Sequence, residues 1–202
     1  MCYGHDVSDD HALLESWRGG DTRAGAALLQ RYSPMVARFF QSKLGDDIDD
    51  LVQQTFADVV RARDTVSPDG FRAYLLAVAR HRLVDQLRKK SSRPEAFDLA
   101  AVSVEDLRTS VSQRLARDER RAAMLTALRS LSLEFQMVLE LTYWEDLSGA
   151  EIAVVLGVSP HTVRSRLSRA RAALRNALRP NEIADGSITP AALARDLSTH
   201  DP

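Results

Sequence analysis

Apolar residues return at three- and four-residue steps along almost the whole chain, the period of a helix with one buried face. A first helix begins near Asp9, with Leu13, Leu14 and Trp17 as its apolar edge and Gly19-Gly20 at its end. Asp21 or Thr22 can cap the next, whose buried stripe is Ala26, Leu29, Tyr32, Met35, Val36, Phe39 and Phe40. Pro34 falls inside that stripe, so a kink or a break is expected there. After Gly45 a third helix buries Ile48, Leu51, Val52, Thr55, Phe56, Val59 and Val60, leaving Asp49, Asp50, Gln53, Gln54 and Asp58 outside. A loop over 64–70 leads to a fourth, with Phe71, Tyr74, Leu75, Val78, Ala79, Leu83 and Leu87 inside and Arg80, His81, Val84 and Arg88 on the remaining side. The pattern fades over 94–118 and returns at Glu119 with Ala122, Leu125, Leu128 and Leu131. The predicted fold class is all-α: two small helical domains, 9–93 and 119–179, joined by a linker, 94–118, and followed by a polar tail, 180–202.

The last stretch has its own grammar. Ser148 and Glu151 have the spacing of a capping box at a helix start. Ile152, Val155 and Leu156 give that helix its apolar side, and Gly157 supplies a left-handed turn residue after it. Ser159 caps again, and Pro160 suits a first helical position, which needs no N–H. Val163, Leu167, Ala170, Leu174 and Leu178 then form one core-facing arc. Two capped helices joined by a glycine turn read as a helix-turn-helix.

Charge sharpens the picture. Residues 1–60 carry ten acids against five bases, whereas six arginines and no acid lie between Pro160 and Pro180. The net charge of −1 therefore hides an acidic and a basic surface, suited to two different partners. Opposite the apolar arc of the last helix lie Arg164, Ser165, Ser168, Arg169 and Ala172, flanked by Thr162, Arg166, Arg171 and Arg175. Guanidinium forks reach phosphates or guanine edges, and small serines let a helix sit deep in a major groove. An ordinary solvated helix mixes both signs of charge, so DNA binding is the better reading.

Other classes find little support. Cys2 is the lone cysteine and the five histidines are scattered, so neither a disulfide nor a metal site is expected. No apolar run approaches the roughly 18 residues that would span a bilayer, which excludes membrane insertion and points to the cytoplasm. No nucleophile–base pair, carboxylate dyad or phosphate loop is present; the expectation is a binding protein without catalytic residues or cofactor. The helix from Phe71 admits two readings. Its aromatics and its basic end, Arg88-Lys89-Lys90, could stack on and hold unpaired bases. Equally, the aromatics could be core and the cations could complement the helix dipole. A dimeric helix-turn-helix regulator would explain 131–178 as well; a recombinase would need catalytic residues that are not found.

Taken together, four segments resemble one family. The GD at Gly20-Asp21, DLVQQTF over 50–56, FRAYLLAVARHRLVDQLRKK from Phe71 and LSGAEIAVVLGVSPHTVRSRLSRAR from Leu147 resemble the extracytoplasmic-function (ECF) group of sigma-70 factors, over roughly residues 9–178. The resemblance implies a region 2 helical bundle followed by a region 4 helix-turn-helix, and a protein that directs promoter-specific transcription initiation. It implies docking of Asp49, Asp50, Gln53 and Gln54 on the β′ clamp helices of core RNA polymerase, with Phe56 in the core and a further contact to the β flap. It implies melting of the −10 element and capture of an extruded base by the loop 64–70 and the following helix, through Phe71, Tyr74, Arg80, His81, Arg88 and Lys89. It implies −35 reading by Thr162, Arg164, Ser165, Ser168 and Arg169, with Arg166 and Arg171 on phosphates, and control by an anti-sigma factor. Gln54 stands where relatives commonly carry Glu, and His81 where many carry Asn.

Overall fold

Several helix ends in this chain are set by short polar side chains and glycines. The computed structural model describes residues 7–45, 47–91, 94–104 and 119–178. Asp21 accepts hydrogen bonds from the backbone N–H groups of Arg23 (2.9 Å) and Ala24 (3.3 Å) and so starts helix α2, Thr22–Leu44. It follows α1, Val7–Arg18, and precedes α3, Asp49–Ala62, and α4, Phe71–Lys90, with a 3-10 turn at Pro68–Gly70. Later come α5, Glu119–Ser130, α6, Leu133–Tyr143, α7, Gly149–Leu156, and α8, Pro160–Leu178. The described residues contain no strand, only one isolated antiparallel bridge between Ser103 and Ser132. They form two compact units, one running to Phe97 and the other starting at Asp98, with Val154–Gly157 grouped with the first.

In the first unit α1 lies across α2 with the Trp17 ring on Gly25, where an added Cβ would sit 2.5 Å from the indole. The same contact is fastened by charge. Arg31 pairs with Asp9 and, at 2.6 Å, with Asp10, whose other oxygen accepts from the buried Tyr32 hydroxyl. Burial, then the Asp10 bond, push the Tyr32 hydroxyl well above its ordinary pKa of 10.0. Helix α2 runs unbroken through Pro34. One lost backbone bond is outweighed there by burial of Met35, Val36, Phe39 and Phe40, each large side chain contributing about 1.5–3 kcal/mol. Leu14, Leu28, Tyr32, Val36, Phe40, Val59, Leu75, Leu76, Leu83 and Leu87 are the core of this unit.

Several stripes depart from the sequence pattern; on α2 Ala26 is exposed and Leu29 half-buried, while Ala24 and Leu28 are buried in their place. On α3 the buried seam is Ile48, Leu51, Thr55 and Val59, while Val52 and Phe56 are half-buried and Val60 is 41% exposed. With about 100° of turn per residue, Val60 lies about 140° from the middle of that narrow seam. On α4 Ala73, Leu76 and Val84 are buried as well, because α2, α3 and the turns at Pro68–Gly70 and Pro94–Ala96 surround the helix.

In the second unit α5 and α6 pack against α8. Among the described side chains of α5 the buried ones are Met124, Ala127 and Leu128, with Leu131 after it; Leu125 is only half-buried, and Ala122 lies outside the described side chains. Leu133, Met137, Val138 and Leu141 of α6 complete the layer with Val163, Ala170 and Leu174 of α8. The expected linker is ordered where it is described. Pro94–Ala96 is a 3-10 turn, Leu99 and Val104 are buried, and the backbone of Val102 accepts from Leu133 N–H at 2.9 Å. Backbone pairing of 99–103 with 132–134, which carries no side-chain period, makes this stretch part of the second unit. Residues 105–118 and the tail 179–202 lie outside the described residues.

Candidate nucleic-acid interface

The two capped helices α7 and α8 form as the sequence predicts. Ser148 and Glu151 close a reciprocal box: Ser148 N–H donates to Glu151 Oε2 at 2.8 Å, and Glu151 N–H to Ser148 Oγ at 3.3 Å. Gly157, at φ +65°, ends α7 with bonds from its own N–H to Val154 O (3.3 Å) and from Val158 N–H to Ala153 O (3.1 Å). Ser159 Oγ then accepts from Thr162 N–H at 3.1 Å and starts α8. These caps fix where α8 begins, and hence which of its side chains face out.

Along α8, Arg164, Ser165, Ser168, Arg169, Arg171, Ala172 and Arg175 are exposed and Thr162 is half-buried. Ser165 Oγ donates to Thr162 O (3.1 Å) and Arg169 Nε to Ser165 O at 3.4 Å, so both side chains lie along the helix. Arg171 is held differently: its Nε donates to Tyr143 Oη at 2.6 Å and its guanidinium sits 5.6 Å from the Tyr143 ring centroid. Arg166 does not join this surface. Its side chain is 11% exposed and its Nη2 lies 3.0 Å from Glu134 Oε1 on α6, so it is occupied in tying α8 to α6 rather than offered to a phosphate.

On the first unit, Asp49, Asp50 and Gln53 are exposed and Gln54 half-buried, with Gln54 Nε2 donating to Asp50 Oδ2 at 2.6 Å. Val60 adds an apolar spot to the same outer arc. On α4, helical geometry puts Tyr74, His81, Arg88 and Lys89 in one arc of about 100°, with Arg80 about 120° away from Tyr74. Tyr74 is half-buried; His81, paired with Asp85 at 3.4 Å, is exposed, as are Arg88 and Lys89. Phe71 is excluded from any surface. It is 1% exposed and its ring packs 5.5 Å from that of Tyr32, because the 3-10 turn before it delivers the side chain into the α2–α4 seam.

Several contacts join residues far apart in sequence and carry no sequence signal. Arg82 Nε donates to Asp58 at 2.6 Å, linking α4 to α3. Tyr143 beneath Arg171 and Glu134 beneath Arg166 are further examples. Among the described residues, no group of three His, Cys, Asp or Glu could hold a metal ion, and no helix is long and apolar enough to cross a membrane.

An all-helical protein with an acidic helix face on one unit and a capped helix-turn-helix with a basic outer face on the other defines a nucleic-acid-binding protein. Comparison with known proteins narrows this. Residues 28–93 match the family model Sigma-70 region 2, and residues 121–174 match Sigma-70, region 4. The chain is 28% identical over 181 residues to an ECF RNA polymerase sigma-E factor of Salmonella typhimurium, covering 85% of this chain and 95% of that one. It is 32% identical to ECF RNA polymerase sigma factor SigE of Mycolicibacterium smegmatis, covering 86% of this chain and 65% of that one. A solved structure of CnrH in complex with the cytosolic domain of CnrY is 26% identical, with a TM-score of 0.63 over 86% of this chain and 99% of that one. The sigma factor RpoE of Bartonella quintana, solved with the anti-sigma factor NepR, has a similar fold, with a TM-score of 0.58 at 23% identity over 80% of this chain and 99% of that one. The chain belongs to the sigma-70 family, in its ECF group. It is a transcription-initiation factor and not an enzyme.

Proposed function

We propose that the chain binds core RNA polymerase through the outer face of α3 and directs initiation at promoters, reading the −35 element as duplex with α8 and the −10 element as separated strands with α4 and the loop before it. The observation that carries this reading is the division of charge on the surface. An exposed carboxylate-and-amide face on α3 and an acid-free arginine face on α8 stand in the order of regions 2 and 4. Asp49, Asp50, Gln53 and Gln54 are assigned to the β′ clamp helices and a further contact to the β flap. Thr162, Arg164, Ser165, Ser168 and Arg169 are assigned to base edges, and Arg171 to a phosphate. Tyr74, His81, Arg88 and Lys89 are assigned to the −10 strand, with Arg80 at its margin.

The work done is binding. Strand opening costs unstacking energy, which backbone contacts, stacking and pocket binding offset; the polymerase makes the bonds. The protein acts where the polymerase does, in the cytoplasm. An anti-sigma partner is assigned by analogy with the RpoE–NepR complex. Run-off transcription with and without core polymerase tests the reading. Promoter-specific product only when both proteins are present is expected, and specific duplex binding by a free dimer without such product would overturn it.

A further inference from the structure

The end of α1 reaches into the loop that joins α3 to α4. Helix α1 closes on its own: Gly19 N–H donates to Glu15 O (2.9 Å), Gly20 N–H to Trp17 O (3.0 Å) and Asp21 N–H to Ser16 O (3.0 Å). Its last side chain, Arg18, is therefore not needed to satisfy those carbonyls and crosses to residues 45 and 48 positions later. Arg18 Nε donates to Arg63 O at 2.9 Å and Nη2 donates to Val66 O, while Nη1 pairs with Glu15 at 2.6 Å. Within the loop, Thr65 N–H uses the carbonyl of Ala62 (2.9 Å) and Gly70 N–H that of Ser67 (3.1 Å). The loop's internal turns thus account for Ala62 and Ser67, and one guanidinium takes two of the four carbonyls between them, those of Arg63 and Val66.

The rest of the contact points the same way. Val66 is buried as an anchor, while Asp64, Thr65, Ser67 and Asp69 are exposed, a set of donors and acceptors of the kind that reads a base edge. The Arg63 guanidinium lies 5.9 Å from the Trp17 ring, so two consecutive residues of α1 hold the loop. Trp17 is itself fixed by Gly25, where no side chain could be accommodated without displacing the indole.

We propose that Arg18 is a positioning residue for promoter opening: it preforms the loop 63–67, from its α1 side, in the shape that captures one unpaired base. The proposal rests on the base-capture reading of that loop. An arginine suits the task because its planar fork donates in several directions at once, which a lysine ammonium on a flexible stem cannot reproduce. A loop held before the base arrives spares the ordering cost at binding, and the benefit falls on base discrimination.

The full chain is assembled with core polymerase and partitioned against a randomised single-stranded oligonucleotide library and, separately, a duplex library. The wild type enriches one base at one position of the single strand. Arg18→Ala reduces that enrichment about tenfold, the scale of losing charge-assisted hydrogen bonds, with duplex enrichment and core binding unchanged. Amide exchange then rises over 63–67 and not in α2 or α4. Arg18→Lys, which retains the charge but grips fewer carbonyls, carries the test if the alanine variant does not fold: it loses part of the enrichment. Full retention of single-strand enrichment by either folded variant overturns the proposal. No enrichment by the wild type overturns the base-capture reading beneath it instead.

Discussion

Three arginines within one and a half turns of α8 have different fates, and the difference is one of partners. Arg164 and Arg169 are exposed, whereas Arg166 is sunk against α6 beside Glu134. Arg164→Ala and Arg169→Ala are expected to weaken promoter-specific initiation by about 1–3 kcal/mol each if their forks read guanine, with core binding unchanged. Arg166→Ala is expected to lower the melting temperature of the protein instead, since it leaves Glu134 half-buried without its cation, at a cost of about 1–3 kcal/mol. Thermal unfolding beside run-off transcription separates the two outcomes. Arg171 stands apart, because Tyr143 holds its head. Its loss should weaken binding evenly across sequences and lower the salt slope by about one.

At the scale of elements, the joint between α1 and α2 combines a close backbone approach at Gly25 with a buried Asp10–Tyr32 pair that the half-buried Arg31 joins. Its pH dependence follows from Tyr32. The folded protein holds that hydroxyl protonated well above 10.0, whereas the unfolded chain releases the proton near that value. Above pH 10 the unfolded state is therefore favoured by its lower proton uptake, and the contribution, complete below pH 10, is lost as pH rises toward the folded value. Denaturant titrations from pH 8 to pH 11 are expected to show stability falling above pH 10. Tyr32→Phe should begin about 1 kcal/mol less stable at neutral pH and show a shallower alkaline decline. An equal decline in both proteins would assign the alkaline loss elsewhere.

For the whole molecule, the two charged faces make two separable demands. Reversing Asp50 to Lys or replacing Gln53 by Ala should weaken assembly with core polymerase, seen in a pull-down, and raising core concentration should restore promoter-specific transcription. The Arg169→Ala defect should persist at saturating core, because it lies in DNA reading. A charge reversal at Asp50 also removes the acceptor of the Gln54 amide, so the Gln53 variant is the cleaner measure. If excess core rescues both defects alike, the assignment of the two faces to different partners fails.

What the sequence by itself determined is whatever is local. Helix starts at Asp21, Ser148 and Ser159, the turn at Gly157 and the basic outer arc of α8 are set within a few residues by hydrogen bonding, sterics and helical period. The helix starts and the turn stand in the structure as the sequence predicts, and so does the arc apart from Arg166, which turns in to Glu134. The family was legible too, because DLVQQTF and the helix-turn-helix stretch are contiguous. Only the tertiary structure decided which members of a periodic face are covered. Val60 and Phe71 show the limit: both are apolar and in phase with a plausible stripe, yet one ends 41% exposed and the other 1% exposed. Period sets the angle of a side chain on its helix, but burial depends on whether a neighbouring helix passes at that height. The ties from Arg166 to Glu134, Arg171 to Tyr143 and Arg18 to the 63–67 loop are of the same kind. Each joins residues 28 to 48 positions apart. A guanidinium is as much at home in water as on a buried carbonyl, so only the packing of the helices decides between them.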